Sequence, residues 1–157
     1  MEYIASQTGP SADDGAVRTM YEGAPYPGLG ADLKDASLFL DVISLELAGR
    51  GSIRYLEAGC GTGHQLVGVA KKNPDWQCFG IDLSSASLDV AAKLAEQHLA
   101  QVTLRRGSYT SPLPFEGGTF DVISAMGTVH HNDEPLRAMK AFRKELKDDG
   151  YLLLHLY

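Results

Sequence analysis

Glu57-Ala-Gly-Cys-Gly-Thr-Gly63 places three glycines at alternate positions between a short apolar run and a helix-like stretch. Removing every Cβ where a strand turns into a helix lets the backbone bend sharply and lets a ligand lie against main-chain amides. The surroundings agree with such a turn. Ser52–Glu57 reads as a first strand, and His64–Lys72, stopped before Pro74, reads as a helix. Gln77–Asp82 is a second strand, and Ser84 stands where it would cap a helix to about Leu99, with Leu88, Ala91, Ala92 and Ala95 on one face. Gln101–Arg106 and Phe120–Ala125 are the third and fourth strands, separated by a Pro- and Gly-rich loop, Ser111–Gly118. Asp133–Lys147, with Pro135 in its first turn, is a helix, and Gly150–Tyr157 is a fifth strand. Strands separated by helices of this length need crossover connections. The expected class is therefore α/β: three layers, with a mostly parallel sheet of about five strands covered on both faces.

Upstream the pattern is different. Residues 1–30 read as a loop-rich arm, because Gly23, Pro25, Pro27, Gly28 and Gly30 crowd into eight residues after a polar start. From Ala31, the spacing of Leu33, Ala36, Leu40, Ile43 and Leu47 predicts an amphipathic helix stopped at Gly49. The chain is thus an arm, 1–30, and a core, 31–157, with 157 residues amounting to one domain.

Composition narrows the partners. Apolar residues at 44% and charged residues at 22% exclude a disordered or collagen-like chain. Twenty acids against fourteen Lys and Arg give −6, which argues against a nucleic-acid backbone or an anionic membrane as the main partner. Cys60 and Cys78 make no disulfide framework, which suits a reducing compartment. There is no basic stretch followed by an apolar run at the N-terminus, and no apolar run near the ~20 residues of a bilayer span. The expectation is a cytoplasmic domain.

In open parallel sheets, ligands bind outside the carboxyl ends of the strands. Asp82 ends the second strand, nineteen residues beyond Gly63, where an acid can accept hydrogen bonds from a ribose diol. Glycine loop and acid together point to a nucleoside-containing cofactor. The dinucleotide pattern G-x-G-x-x-G would need a glycine where His64 stands. Glu57 lies two residues before the first glycine and brings a carboxylate to the same cleft. A pyrophosphate there would be repelled by ~1 kcal/mol or more, while an ammonium or sulfonium would be attracted. S-adenosylmethionine (SAM), with a diol, an ammonium and a sulfonium, fits these residues better than a nicotinamide dinucleotide.

With Asp82-Leu-Ser84, and Phe120-Asp-Val-Ile-Ser-Ala125 followed by His130-His131, the glycine motif resembles the class I SAM-dependent methyltransferases from about Ser52 to Tyr157. The resemblance implies a Rossmann-like sandwich with strand order 3-2-1-4-5. It places the loop Gly59, Cys60, Gly61 and Gly63 at the cofactor, with Gly59 and Gly61 approaching its methionine carboxylate and sulfur. Glu57 would bind near the amino acid end, Asp82 the ribose hydroxyls, and Leu83 the adenine. Met126 and Gly127 would flank the cofactor. Ser108 and Tyr109 follow the third strand; Ser108 stands where the family often has an acid near the adenine amine, and its hydroxyl or a backbone carbonyl could accept instead. The arm reads either as a surface loop pinned to the core by its aromatics or as a lid over the cofactor with Tyr21 or Tyr26 near the sulfonium, and the resemblance leans toward the lid.

His130 and His131 are candidate general bases for an acceptor that arrives protonated, with a structural role as the alternative. A metal site is not expected, since adjacent histidines point apart and no C-x-x-C or H-E-x-x-H is present. Cys60 reads as a packing residue rather than a nucleophile. The implied reaction is methyl transfer to a small-molecule acceptor; a SAM-binding module without turnover and a nicotinamide oxidoreductase are the alternatives. Methyltransferases of this class continue with a further helix and two strands, so the resemblance implies a core truncated after the fifth strand. The apolar segment 151–157 would then form an edge open to a second copy, giving a symmetric dimer.

Overall fold

The computed structural model describes residues 4–5, 14–27, 33, 40, 43, 46–115, 119–132 and 134–156. One sheet contains β1 (Ile4–Ala5), β2 (Arg54–Ala58), β3 (Gln77–Asp82), β4 (Val102–Arg106), β5 (Phe120–Met126) and β6 (Leu146–His155). Its order is β1-β4-β3-β2-β5-β6, and every pairing is parallel. The five expected strands therefore stand as β2 to β6 in the expected order. The two-residue β1 is an addition from the arm, pairing Ile4 with Arg105 and Ala5 with Arg106.

The alternation of side chains along β2 sorts the core into two faces. Tyr55 joins one cluster with Leu66, Val67, Leu88, Ala91, Ala95 and Val122. These residues bring α2 (His64–Lys72) and α3 (Ser85–Gln97) onto that face. Leu56 and Ala58 join the other cluster with Ile123, Ala125, Ala138 and Phe142, which α4 (Pro135–Glu145) closes. Leu40, Ile43 and Leu47, helical where described, are buried on the first face as their spacing predicted. Ser84 caps α3 as expected, accepting from the Ser87 amide at 3.1 Å.

Two expectations need correction. The arm is not loop throughout: α1 (Asp14–Gly23) occupies its middle. The seven residues Ala16–Glu22 contain neither glycine nor proline, and the flanking turn residues had masked that run. At the other end, α4 stops at Glu145, and β6 begins at Leu146 rather than Gly150. Leu146 already pairs with Phe120, and Lys147 reaches Asp121 at 2.8 Å, so ladder and ion pair draw a helix-compatible sequence into the sheet. The register shifts between Phe120 and Val122 to absorb the added residues. Gly28, Gly30, Ala31, Ala36, Gly117, Gly118, Asp133 and Tyr157 lie outside the described residues. Among the described residues, no helix is long and apolar enough to cross a membrane.

Candidate functional site

A cavity of about 600 Å³ opens at the carboxyl ends of β2, β3, β5 and β6, with α1 forming its outer wall. Its size is typical of small-molecule and cofactor sites.

The glycine loop forms one side, and its backbone is fully engaged. Gly59 and Cys60 amides donate to the Ile81 carbonyl at 2.8 and 3.0 Å, and the Gly63 amide donates to Cys60 at 2.9 Å. The Gly61 amide donates to Asp82 Oδ2 at 2.8 Å, and the Thr62 amide to the Tyr26 carbonyl at 3.2 Å. The expectation of main-chain amides turned toward a ligand is thus corrected, because all five already donate to protein acceptors. The glycines instead permit close approach of the chain to itself. Gly61 is left-handed at φ +51°, and a Cβ there would collide with the Tyr26 carbonyl. Gly63, at φ +79°, would place a Cβ 2.7 Å from that of Ala91, where α2 meets α3.

Glu57 is 5% exposed, and its Oε2 is buried without a hydrogen-bond partner. Burial and the neighbouring Asp82 charge push its carboxyl well above the usual range, against one bond from the Leu66 amide. A buried acid of this kind on a cavity wall suits a cationic ligand group. An ammonium would satisfy both the orphaned oxygen and the charge, so the residues fit the amino acid end of SAM. Asp82 accepts from Gly61 with one oxygen and from the Ser84 amide at 2.9 Å with the other. Burial raises its pKa and these bonds oppose the rise. A carboxylate has about four acceptor positions, so Asp82 can hold the loop and still receive hydroxyl donors. Leu83 lies beside it on the wall.

Across the cavity, β5 delivers Met126 and Gly127, and a 3₁₀ turn at Val129–His131 follows. His131 reaches the wall; His130 does not, and its ring lies 4.2 Å from that of His131, centroid to centroid. Tyr109 also reaches the wall, where its hydroxyl donates to the Thr128 carbonyl at 2.9 Å and accepts from Asn132 Nδ2 at 2.7 Å. Ser108 is buried, is not among the residues lining the cavity, and bonds Thr110 Oγ1 at 2.7 Å. Tyr21 faces the cavity from α1. Tyr26 is also on the wall and is 68% exposed, and its carbonyl accepts from the Thr62 amide. Burial pushes the Cys60 thiol far above its usual range, which agrees with a packing role.

Several wall residues were not singled out from sequence. Arg18 was overlooked because its stretch read as loop, yet it is the one Lys or Arg on the wall among the described residues. His155 ends β6, and the rule that places ligands at the carboxyl ends of parallel strands could have found it. His64, which the sequence marked as a departure from the dinucleotide pattern, lines the cavity with Nδ1 against Thr62 Oγ1 at 2.9 Å. Gln65 links the wall to the buried Tyr55 and Ser124 hydroxyls, at 3.1 and 3.2 Å. Among the described residues, no group of three His, Cys, Asp or Glu is arranged to hold a metal ion.

A family profile described as "Methyltransferase domain" matches residues 56–154. The uncharacterized methyltransferase YcgJ of Bacillus subtilis is 30% identical over 106 residues, which are 67% of this chain and 41% of that protein. A ubiquinone biosynthesis O-methyltransferase of Alkalilimnicola ehrlichii is 28% identical over 74% of this chain and 46% of its own length. Among solved structures, YcgJ superposes with a TM-score of 0.64 at 28% identity, over 73% of this chain and 48% of that one. The [4+2]-cyclase SpnF superposes with a TM-score of 0.71 at 26% identity, over 93% of this chain and 60% of that one. The chain thus spans about half or less of the length of the curated relatives it matches.

Proposed function

This chain belongs to the class I SAM-dependent methyltransferases, with SAM as cofactor, and on that premise we propose that it methylates a hydroxyl group of a small-molecule acceptor. The observation that carries the reading is the orphaned Glu57 carboxyl, buried on the wall of a SAM-sized cavity beside Asp82. A pyrophosphate cofactor would bring negative charge to that carboxyl, which speaks against the nicotinamide alternative.

When bound, SAM supplies an activated methyl group, so the protein's tasks are binding, orientation and proton removal. Glu57 receives the ammonium and Asp82 the ribose diol. Because the loop amides from Gly59 to Gly63 are engaged, Arg18 is the group that answers the methionine carboxylate. His131 would take the proton from the acceptor hydroxyl, and the methyl group the oxygen receives is the chemistry SAM would supply. The place of His131 on the cavity wall, and the O-methyltransferase named among the relatives, support a hydroxyl acceptor. The similar fold of a [4+2]-cyclase shows that the fold alone does not name the reaction.

Calorimetry against SAM, its demethylated product S-adenosylhomocysteine (SAH) and NAD tests the cofactor assignment, and a panel of phenols and amines tests the acceptor. SAM and SAH should bind and NAD should not; absence of SAH binding overturns the reading. SAH binding with no methylated product would leave a SAM-binding module. Among the described residues β6 pairs with β5 alone, and Leu154 and Leu156 are exposed, which supports a symmetric dimer through residues 151–157. A clean monomer by light scattering at high micromolar concentration overturns that part.

A further inference from the structure

α1 turns Val17, Arg18 and Tyr21 to the cavity, but Glu22, on the same helix, is not on the wall. Its carboxylate lies at the start of α3. Oε1 accepts from the Ser85 amide and the Ser85 hydroxyl, both at 2.9 Å, and Oε2 accepts from the Ala86 amide at 3.2 Å. Helix α3 begins with amides that have no partner within the helix, and Ser84 satisfies only that of Ser87. Glu22, 63 residues away from Ser85 in sequence, takes the next two. A negative charge is favoured at this end of a helix. Arg106, at the end of β4, adds to that attraction and Asp82 opposes it; burial acts against the charge, yet the bonds from Ser85 and Ala86 hold Glu22 below the usual carboxylate range.

A ten-residue helix is marginal alone, and Arg18, Thr19 and Met20 are exposed. Immediately after α1, the Tyr26 and Pro27 carbonyls accept from Thr62 of the glycine loop, at 3.2 and 2.7 Å. The arm therefore bridges both lips of the cleft: the glycine loop through 26–27, and the start of α3 through Glu22.

Resting on the cofactor reading above, we propose that Glu22 is a positioning residue for cofactor binding. By capping α3 it fixes α1 so that Arg18, one helical turn earlier, stays on the cavity wall as the partner of the methionine carboxylate. Glu22 does this without touching the cofactor, and its effect on affinity passes through Arg18.

The test compares full-length wild type with Glu22→Ala, Glu22→Gln, Arg18→Ala and the Glu22→Ala/Arg18→Ala double variant. Readouts are SAH calorimetry, amide exchange without ligand, and thermal unfolding. Glu22→Ala should weaken SAH roughly tenfold, within the usual span of coupling between distinct sites. Exchange should quicken over residues 14–23 but not in β2, β3 or β5. Glu22→Gln, which keeps one acceptor oxygen, should fall between the two. Arg18→Ala should weaken SAH in the wild-type background and add little once Glu22 is gone. Wild-type affinity in Glu22→Ala, or losses that add in full, overturns the proposal; a merely structural Glu22 would lower the melting temperature and leave the two losses independent. SAH binding equally to wild type and Glu22→Ala sinks this inference alone, whereas no SAH binding by wild type sinks the cofactor reading with it.

Discussion

At the β2–β3 end of the cavity, Glu57 is 5% exposed and every amide from Gly59 to Gly63 donates to a protein acceptor. At the β5–β6 end, His155 is exposed, and the wall comes from a 3₁₀ turn and a strand terminus. The first end is held by bonds within and between two adjacent strand–helix turns, so its shape is set before a ligand arrives. The second end is built from one short turn after β5 and the end of β6. A site that must recognise one fixed cofactor gains from preorganisation, while variable acceptors are served by loops and termini on a rigid scaffold. This contrast makes the two ends separable by mutation.

The largest effect should fall on turnover alone. His131→Ala should lower kcat by about 10²- to 10⁴-fold, the range for loss of a general base, while SAH affinity stays at the wild-type value. His130→Ala should leave kcat far less affected, because His130 is not on the wall. Steady-state kinetics with a phenolic acceptor, alongside calorimetry, measures both. Equal losses at the two histidines, or a loss of SAH affinity in His131→Ala, would erase the division between the ends.

A smaller effect, and one confined to the other end, is expected at Glu57. Glu57→Gln should weaken SAH by roughly ten- to a hundred-fold through loss of a charge-assisted bond to the ammonium. The same change should stabilise the ligand-free chain at neutral pH. The sign follows from the raised folded-state pKa of Glu57, against 4.5 for an unperturbed Glu. Its contribution is fully present below about 4.5 and is lost as pH rises through the raised value, since a buried carboxylate must then carry its charge unpaired. Urea unfolding from pH 4.5 upward should therefore show wild type losing ground against Glu57→Gln, with SAH closing the gap. Parallel pH profiles for the two proteins would mean that Glu57 is not the buried acid described.

The same contrast explains what could be read from sequence. The alternation of β2 to β6 with helices, the glycine turn, and the acids Glu57 and Asp82 near strand ends were legible because each rests on short-range spacing, whereas the order of the strands in the sheet came from the family resemblance. Arg18 was not legible, because flanking turn residues made its stretch read as loop, and Glu22 was not, because its role arises from contacts across more than sixty residues that no local pattern encodes. The extended form of Leu146–Asp149 was hidden for a related reason, since pairing with β5 overrides a helix-compatible sequence. Even the glycines were read only in part. Their spacing marked the turn, but the space they leave is filled by Tyr26, Ala91 and Thr128 of the protein itself.

Ser108 gives the smallest expected effect and the sharpest check on carrying a family's pattern onto a departing residue. The resemblance puts position 108 beside the adenine amine. In the structure Ser108 Oγ lies 2.7 Å from Thr110 Oγ1 and accepts from the Thr110 amide at 3.1 Å, while the next residue, Tyr109, holds the cavity wall. A hydroxyl committed to its own turn has little left to offer a ligand beyond that turn. Ser108→Ala should therefore leave SAH affinity within about twofold, under ~0.5 kcal/mol, and lower stability by about 0.5–1.5 kcal/mol through loss of the Thr110 bonds. Tyr109→Phe is the matched control: its hydroxyl braces Thr128 and Asn132 beside His131, so its loss should reach the acceptor end through the 3₁₀ turn. A tenfold loss of SAH affinity in Ser108→Ala, with stability unchanged, would show that the hydroxyl leaves its turn to meet the cofactor, and the preorganised end of the cavity would then be less rigid than its hydrogen bonds imply.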